Sequence, residues 1–447
     1  MKPLITISVL AAAGSLAGTA FGAAPSPEPV VPDRLDLRSA IGFALANNYT
    51  IREARERIKQ QEGVEIEVRA RQIPTVGSSA SYTGNAPEIS TYNPAKSNTW
   101  AIALQARQVL YAGGGVSASV RSAALTRAAA VLELEGIINQ QLLAVRTQFY
   151  AVLLAKEKIG VQEESVTLLE QQLKDAQSRL SAGTVSNFEV LRAEVALANG
   201  QPPLIQARND YRIALEQLRQ VLGLVGLSGP NASQAPEVVG ALEVGQPARY
   251  QLADALAAAG ANRPELRRLV RLQEAGEQNV KANRAGYLPE VDLVGGYDWV
   301  RNPVLSGAWS NRLEGWTAGV QAQWNLFDGR ATAGRVVQAR SQLEQTKLSL
   351  AETTLSIEVQ VRQAYSALVE AWELVQASVK TAEQAQEALR LANVRYGAGT
   401  ATQLDVLTSQ VALTEARLNQ LQANYGYNVA LAALRQAMGQ ADEYVSQ

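Results

Sequence analysis

The sequence predicts a mixed α and β chain in which one unit, a β-hairpin followed by a long helical hairpin, is written twice. Three observations carry this reading. Landmark residues recur at a constant spacing, alternating strands come in two pairs, and two helical stretches of about 66 residues run without a proline.

The repeat is visible on aligning the chain with itself. Leu110-Tyr111-Ala112-Gly113 resembles Leu326-Phe327-Asp328-Gly329, and Arg179-Leu180-Ser181-Ala182-Gly183-Thr184 resembles Arg395-Tyr396-Gly397-Ala398-Gly399-Thr400. Phe188-Glu189-Val190-Leu191 likewise resembles Leu404-Asp405-Val406-Leu407. Gly113 and Gly329, Gly183 and Gly399, and Gly223 and Gly439 each lie 216 residues apart; Pro74 and Pro289 differ by 215. Two structural repeats, 35–224 and 249–440, are therefore expected, joined by a Gly/Pro/Ser-bearing linker over 225–248 and followed by a tail, 441–447.

Each repeat opens with helix. Apolar residues at spacings of three and four predict helices within Leu35–Arg71 and Leu252–Arg284, closed by Pro74 and Pro289.

The strands follow. Over Trp316–Leu326, the residues Trp316, Ala318, Val320, Ala322, Trp324 and Leu326 share one face, against Thr317, Gly319, Gln321, Gln323 and Asn325. Thr99–Val109 sets Trp100, Ile102, Leu104 and Ala106 against Gln105 and Arg107. The expected lipid face is thus Trp100, Ile102, Leu104, Trp316, Val320 and Trp324, and the lumen face Gln105, Arg107, Gln321 and Gln323. Thr75–Thr83 and Val291–Val300 supply the partner strands. Trp316 and Trp324 stand roughly 20 Å apart on a tilted strand, near the height of an outer-membrane apolar band. A soluble sandwich strand alternates in the same way, so the count of strands matters. Four strands cannot close a barrel, and an open sheet in lipid leaves costly unpaired edges. Several chains must then contribute to one shared transmembrane β-barrel.

Gly115–Leu180 and Ala331–Tyr396 predict helices about 100 Å long, far beyond the usual globular length. Abundant alanine and sparse charge (19 % of residues) suit helices flanked on both sides, unlike an isolated coiled coil. Each turns at a glycine, Gly183 or Gly399, and returns over Glu189–Leu222 or Asp405–Met438. Thr184, Ser186, Thr400 and Thr402 are candidate caps for the returning helices. Gly200-Gln201-Pro202-Pro203 is expected to break or kink the first of them.

Composition narrows function. The chain has 447 residues with no histidine and no cysteine, which excludes Ser-His and Cys-His nucleophilic systems and thiolate or imidazole metal sites. No cofactor is expected. A net charge of −1 gives no electrostatic case for nucleic acid. Lys2, the apolar run Leu4–Ala17 and the small residues Ala20, Gly22 and Ala23 read as a signal peptide over 1–23. Elsewhere no run of about 18 apolar residues is apparent, so membrane insertion would require a barrel.

Ala40-Ile41-Gly42-Phe43-Ala44-Leu45-Ala46-Asn47-Asn48, together with the two tip segments Arg179–Leu191 and Arg395–Leu407, resembles the TolC-like outer-membrane efflux proteins. The resemblance spans the mature chain. It implies a homotrimer in the outer membrane, with a 12-stranded barrel in lipid continued by an α-helical barrel across the periplasm. It further implies a periplasmic adaptor protein docked on the tips and an inner-membrane transporter as the drive, in drug efflux or type I secretion. By position the adaptor contacts would be Gly183, Thr184, Val185 and Ser186, and Gly399, Thr400, Ala401 and Thr402. The periplasmic gate would involve Asp405, Glu189 and Tyr396. Thr408 stands where a second acidic ring is usual, and Ala401 replaces a usual arginine; both departures weaken the gate implied by the family.

Two other classes remain open at this level. A soluble periplasmic coiled-coil scaffold would also use long helices. An enzyme built on carboxylates and lysines would need a compact pocket, and the doubled long helices offer none.

Overall fold

The computed structural model describes residues 34–84, 98–224, 236–301 and 312–440. The signal segment 1–23, the first part of the linker (225–235) and the tail 441–447 lie outside the described residues.

The first repeat comprises β1 (Arg34–Leu35), α1 (Leu37–Asn47), α2 (Tyr49–Ala70), β2 (Thr75–Gly84), β3 (Asn98–Ala112), α3 (Gly115–Ser181) and α4 (Asn187–Leu222). After β4 (Glu237–Val238) come α5 (Leu252–Asn262), α6 (Pro264–Arg284), β5 (Glu290–Arg301), β6 (Arg312–Gln323), α7 (Ala331–Gly397) and α8 (Gln403–Ala437). Both long helices have 67 residues. The sequence order of elements is therefore the same twice over.

The helices expected over Leu35–Arg71 and Leu252–Arg284 are each two helices meeting at a corner. At the first corner Asn48 is buried; its Oδ1 accepts from the backbone of Thr50 and Ile51, and its Nδ2 donates to the carbonyl of Val221. Capping one helix while tying down the end of another is why a buried amide is tolerated here. Gly223, with φ of +78°, seats the end of α4 against this corner, where a Cβ would stand 2.6 Å from the Asn47 carbonyl oxygen.

Among the described residues there are two large packed centres, one per repeat and each beside the short helices, and two small clusters nearer the tips. In the first, Ala40, Ala44, Val145, Val152, Leu218 and Leu222 pack with Leu35 and Val238. In the second, Ala255, Ala259, Val361, Leu368, Leu434 and Met438 occupy the equivalent positions. The linker contributes as well as connects: Val238 pairs in parallel with Leu35, and Leu242 joins the first centre.

Side by side, α3 packs on α2 and α6 near the sheet and on α4 and α8 nearer the tips, while α7 packs on α5, α6 and α8. The chain is thus a strip, with α2 and α4 along one margin and α7 along the other.

Two expectations are corrected. The α4 helix runs through Pro202 and Pro203 without a break, because Leu204 and Ala207 just beyond them are buried and hold the helix in register. Contrary to the sequence reading, α3 contains an 18-residue window apolar enough, at a mean hydropathy of 1.2, to cross a membrane by composition. Only 17 % of that window is buried within the chain, and of the α3 residues Leu142, Val145, Phe149 and Val152 join the first packed centre.

Candidate channel wall and helical tips

The four long strands form one antiparallel sheet in the order β2-β3-β5-β6. Pairing carries a single apolar face across all four. Tyr82 lies opposite Trp100, Ile102 opposite Trp299, Leu104 opposite Tyr297, Tyr297 opposite Trp316, and Leu293 opposite Val320. Trp316 is 76 % exposed and Val320 66 % exposed. A continuous apolar sheet face open to the surroundings is not a soluble core; it is a surface of the kind that lipid or another apolar partner covers.

The opposite face is polar. Gln105, Arg107, Asp292, Gln321 and Gln323 project there, by their strand parity. The Arg107 guanidinium donates to Asp292 Oδ2 at 2.6 Å and lies 3.5 Å from Glu290. Asp292 is nearly buried, at 5 % exposure, so its charge needs this partner.

Strand limits differ from expectation at β6, which starts at Arg312 and ends at Gln323. Trp324 lies just past the strand, where its indole N–H donates to the Tyr287 carbonyl at 3.0 Å. Satisfying that donor on a neighbouring backbone is what ends the alternation. A bulge between Val109 and Tyr111 ends it similarly in β3 and turns Tyr111 toward Val291.

The two tips share one geometry. At Gly183 (φ +77°) and Gly399 (φ +73°) the chain adopts the left-handed conformation that closes a helix. The Thr184 amide donates to Arg179 and the Thr400 amide to Arg395, each at 2.9 Å. Of the four candidate caps only Thr402 caps: its Oγ1 accepts from the Asp405 amide while the Asp405 carboxylate accepts from the Thr402 amide. The hydroxyls of Thr184 and Thr400 instead donate backward to the carbonyls of Arg179 and Arg395, and Ser186 makes no capping bond.

The predicted gate residues divide. Glu189 and Tyr396 come together with Arg179, whose guanidinium sits 4.5 Å from the centre of the Tyr396 ring. Burial pushes the Tyr396 phenol above its ordinary value; Arg179 opposes that shift, and Glu189 and Asp175 reinforce it. Glu189 Oε2 is buried and meets no donor among the described residues. Asp405 stands apart, held below the usual carboxylate range by its bonds to Thr402 and by Arg395. Thr408 is exposed and its hydroxyl donates to the Leu404 carbonyl. Arg179 and Asp175 escaped the sequence reading; the doubling of Arg179 as Arg395 was the available signal.

Between the repeats, α8 is fastened to α3. Gln410 Nε2 donates to the Ser165 carbonyl at 3.0 Å, Gln172 Nε2 donates to Gln410 Oε1 at 2.7 Å, and Arg417 pairs with Glu164 at 2.5 Å.

An open sheet with one lipid-type and one water-type face, continued into very long helices, defines one segment of the wall of a composite membrane channel. The chain belongs to the outer membrane efflux protein family, whose profile matches residues 40–224 and 255–440. It is 27 % identical to protein CyaE of Bordetella pertussis over 412 residues, covering 90 % of this chain and 84 % of that protein. It is 25 % identical to the alkaline protease secretion protein AprF of Pseudomonas aeruginosa over 315 residues, covering 68 % of this chain and 63 % of the relative. Its fold matches the solved outer membrane protein VceC of Vibrio cholerae with a TM-score of 0.76 at 18 % identity, over 90 % of this chain and 96 % of that one. The fold is TolC-like, and the protein is an outer-membrane channel subunit of the efflux and type I secretion class with a large periplasmic helical part. The family consists of channels rather than enzymes.

Proposed function

We propose that three copies of this chain, each divided into repeats at 35–224 and 249–440, close one 12-stranded barrel and one helical barrel to form a passive exit duct. The observation that carries this reading is the strip with two open margins. Strands β2 and β6 have a partner on one side only, and α4 and α7 flank the same two margins among the described residues. Unpaired strand edges cannot rest in lipid, so copies must join edge to edge. Two copies would give eight strands, whose interior side chains fill. Three is the smallest number that leaves a lumen.

The polar face, with Gln105, Arg107, Gln321 and Gln323, then lines the bore, and the face bearing Trp100, Ile102, Leu104, Trp316 and Val320 meets lipid. Trp324 anchors the periplasmic rim. The tips around Gly183–Ser186 and Gly399–Thr402 receive a periplasmic adaptor, helped by exposed apolar residues such as Phe188, which is 63 % exposed. An inner-membrane transporter supplies the drive through that adaptor. At the entrance Arg179, Glu189 and Tyr396 tie one hairpin to the other, and three copies of Asp405 present an acidic ring that repels anions. Thr408 adds no charge to it.

Planar-bilayer recording of the detergent-extracted protein tests the reading. A defined conductance with cation preference is expected; no conductance from correctly folded protein would contradict it.

A further inference from the structure

Where the strands give way to helices, the polar side of the sheet ends in a bowl of about 400 Å³. Arg71, at the C-terminal end of α2, and Arg335, near the start of α7, reach it from opposite margins of the strip. Asn283, Glu290, Gln323 and Asn325 line it as well. Glu290 pairs with Gln323 across β5 and β6 and lies 3.5 Å from Arg107 of the polar face. The bowl therefore opens on the side that the channel reading assigns to the bore.

Its lining suits an anion. The charged groups are two guanidiniums and one carboxylate. That carboxylate is shared: Glu290 is drawn to Arg107, and its 3.9 Å approach to Arg71 is too long for a hydrogen bond. Among the described residues Arg71 has no other partner. Arg335 commits only Nη2, to the Thr332 hydroxyl at 2.8 Å, and stands 4.0 Å from Asp328. Asp328 is itself engaged, accepting from the Thr332 amide at 2.7 Å. Both arginine side chains are 57 % exposed and so open to water. Each guanidinium presents five donors in a planar fork that matches an oxyanion edge. A carboxylate has one such edge, whereas a tetrahedral phosphate offers a separate edge to each of two arginines. The amides of Gln323 and Asn325 add neutral donors.

We propose that this bowl binds a phosphate group, free or carried by a solute in the bore, between Arg71 and Arg335. The inference rests on the multi-chain channel reading and deepens it by giving the bore a second charged station. Its sign is opposite to that of the Asp405 ring at the tips. A solute on its way out meets the acidic ring first and the arginine bowl later, at the foot of the barrel. A polyphosphate seated in the bowl obstructs the bore there and lowers the current through it.

The detergent-extracted full chain is dialysed to equilibrium against labelled inorganic phosphate, with acetate as competitor at constant ionic strength. Saturable binding is expected, weakened about tenfold or more in Arg71→Gln and in Arg335→Gln. Gln323→Glu keeps both arginines and adds an acid at an exposed position, so its loss of binding does not depend on a damaged fold. In planar bilayers tripolyphosphate should reduce the native current and spare the Arg71→Gln channel. Absence of saturable binding, displacement by acetate as effective as by unlabelled phosphate, or native binding by all three variants overturns the proposal. Phosphate binding that leaves the current of a conducting channel untouched overturns the placement in the bore. Phosphate binding by a protein without conductance supports the phosphate site and overturns the channel reading.

Discussion

The Arg179 guanidinium, near the end of α3, lies over the ring of Tyr396, near the end of α7, 4.5 Å from its centre. This contact joins the helical hairpin of one repeat to that of the other at the point farthest from the sheet. A cation over an aromatic ring at a partly exposed site contributes about 0.5–1 kcal/mol. Arg179→Ala is expected to raise single-channel conductance or leak, whereas Tyr396→Phe keeps the ring and changes it less. Equal behaviour of both variants and the native protein in bilayer recordings would remove the cluster from the gate.

The cap at the second tip has a pH dependence. Asp405 is held below its ordinary value mainly by Thr402. A carboxyl so placed stabilises the fold above its unfolded value, near about 4, and that contribution is lost as pH falls through the lowered one. Thr402→Ala removes the cap and costs about 1 kcal/mol at neutral pH. Thermal unfolding should therefore separate the variant from the native protein at pH 7, and the gap should narrow in acid without closing, because the Thr402 hydroxyl still accepts from the Asp405 amide when the carboxylate is protonated. No gap at pH 7 contradicts the capping role.

The two sheet faces predict opposite tolerances. Arginine at Val320 places a charge in lipid at a cost of about 2–4 kcal/mol near the midplane. Arginine at Gln321 points into water. Val320→Arg should reduce the amount of assembled protein in outer-membrane fractions, and Gln321→Arg should leave it near the native level. Equal assembly of the two would reverse the assigned faces.

The long helices were legible because nothing in them interrupts helix, and the strand faces because alternation of period two is strict from Trp316 to Gln323. The doubled landmarks exposed the repeat before any contact was known. Partner-dependent features were not legible. The bulge beyond Val109 depends on β5, and Trp324 leaves the strand to reach the Tyr287 carbonyl. The short pair β1 and β4 has two residues in each strand, too few to show alternation. At the tips the sequence offered four similar hydroxyl caps. Only Thr402 has a short acidic residue, Asp405, placed to reach back to it, while Glu189 at the matching position is part of the Tyr396 cluster. Two prolines within α4 signal a break that burial of Leu204 and Ala207 overrides.

Native mass spectrometry of the protein extracted from outer membranes in mild detergent weighs most directly on the whole account, because it counts the chains that share one wall. The account predicts a complex of three identical chains. A single chain that stays dissolved after the detergent is removed would contradict it.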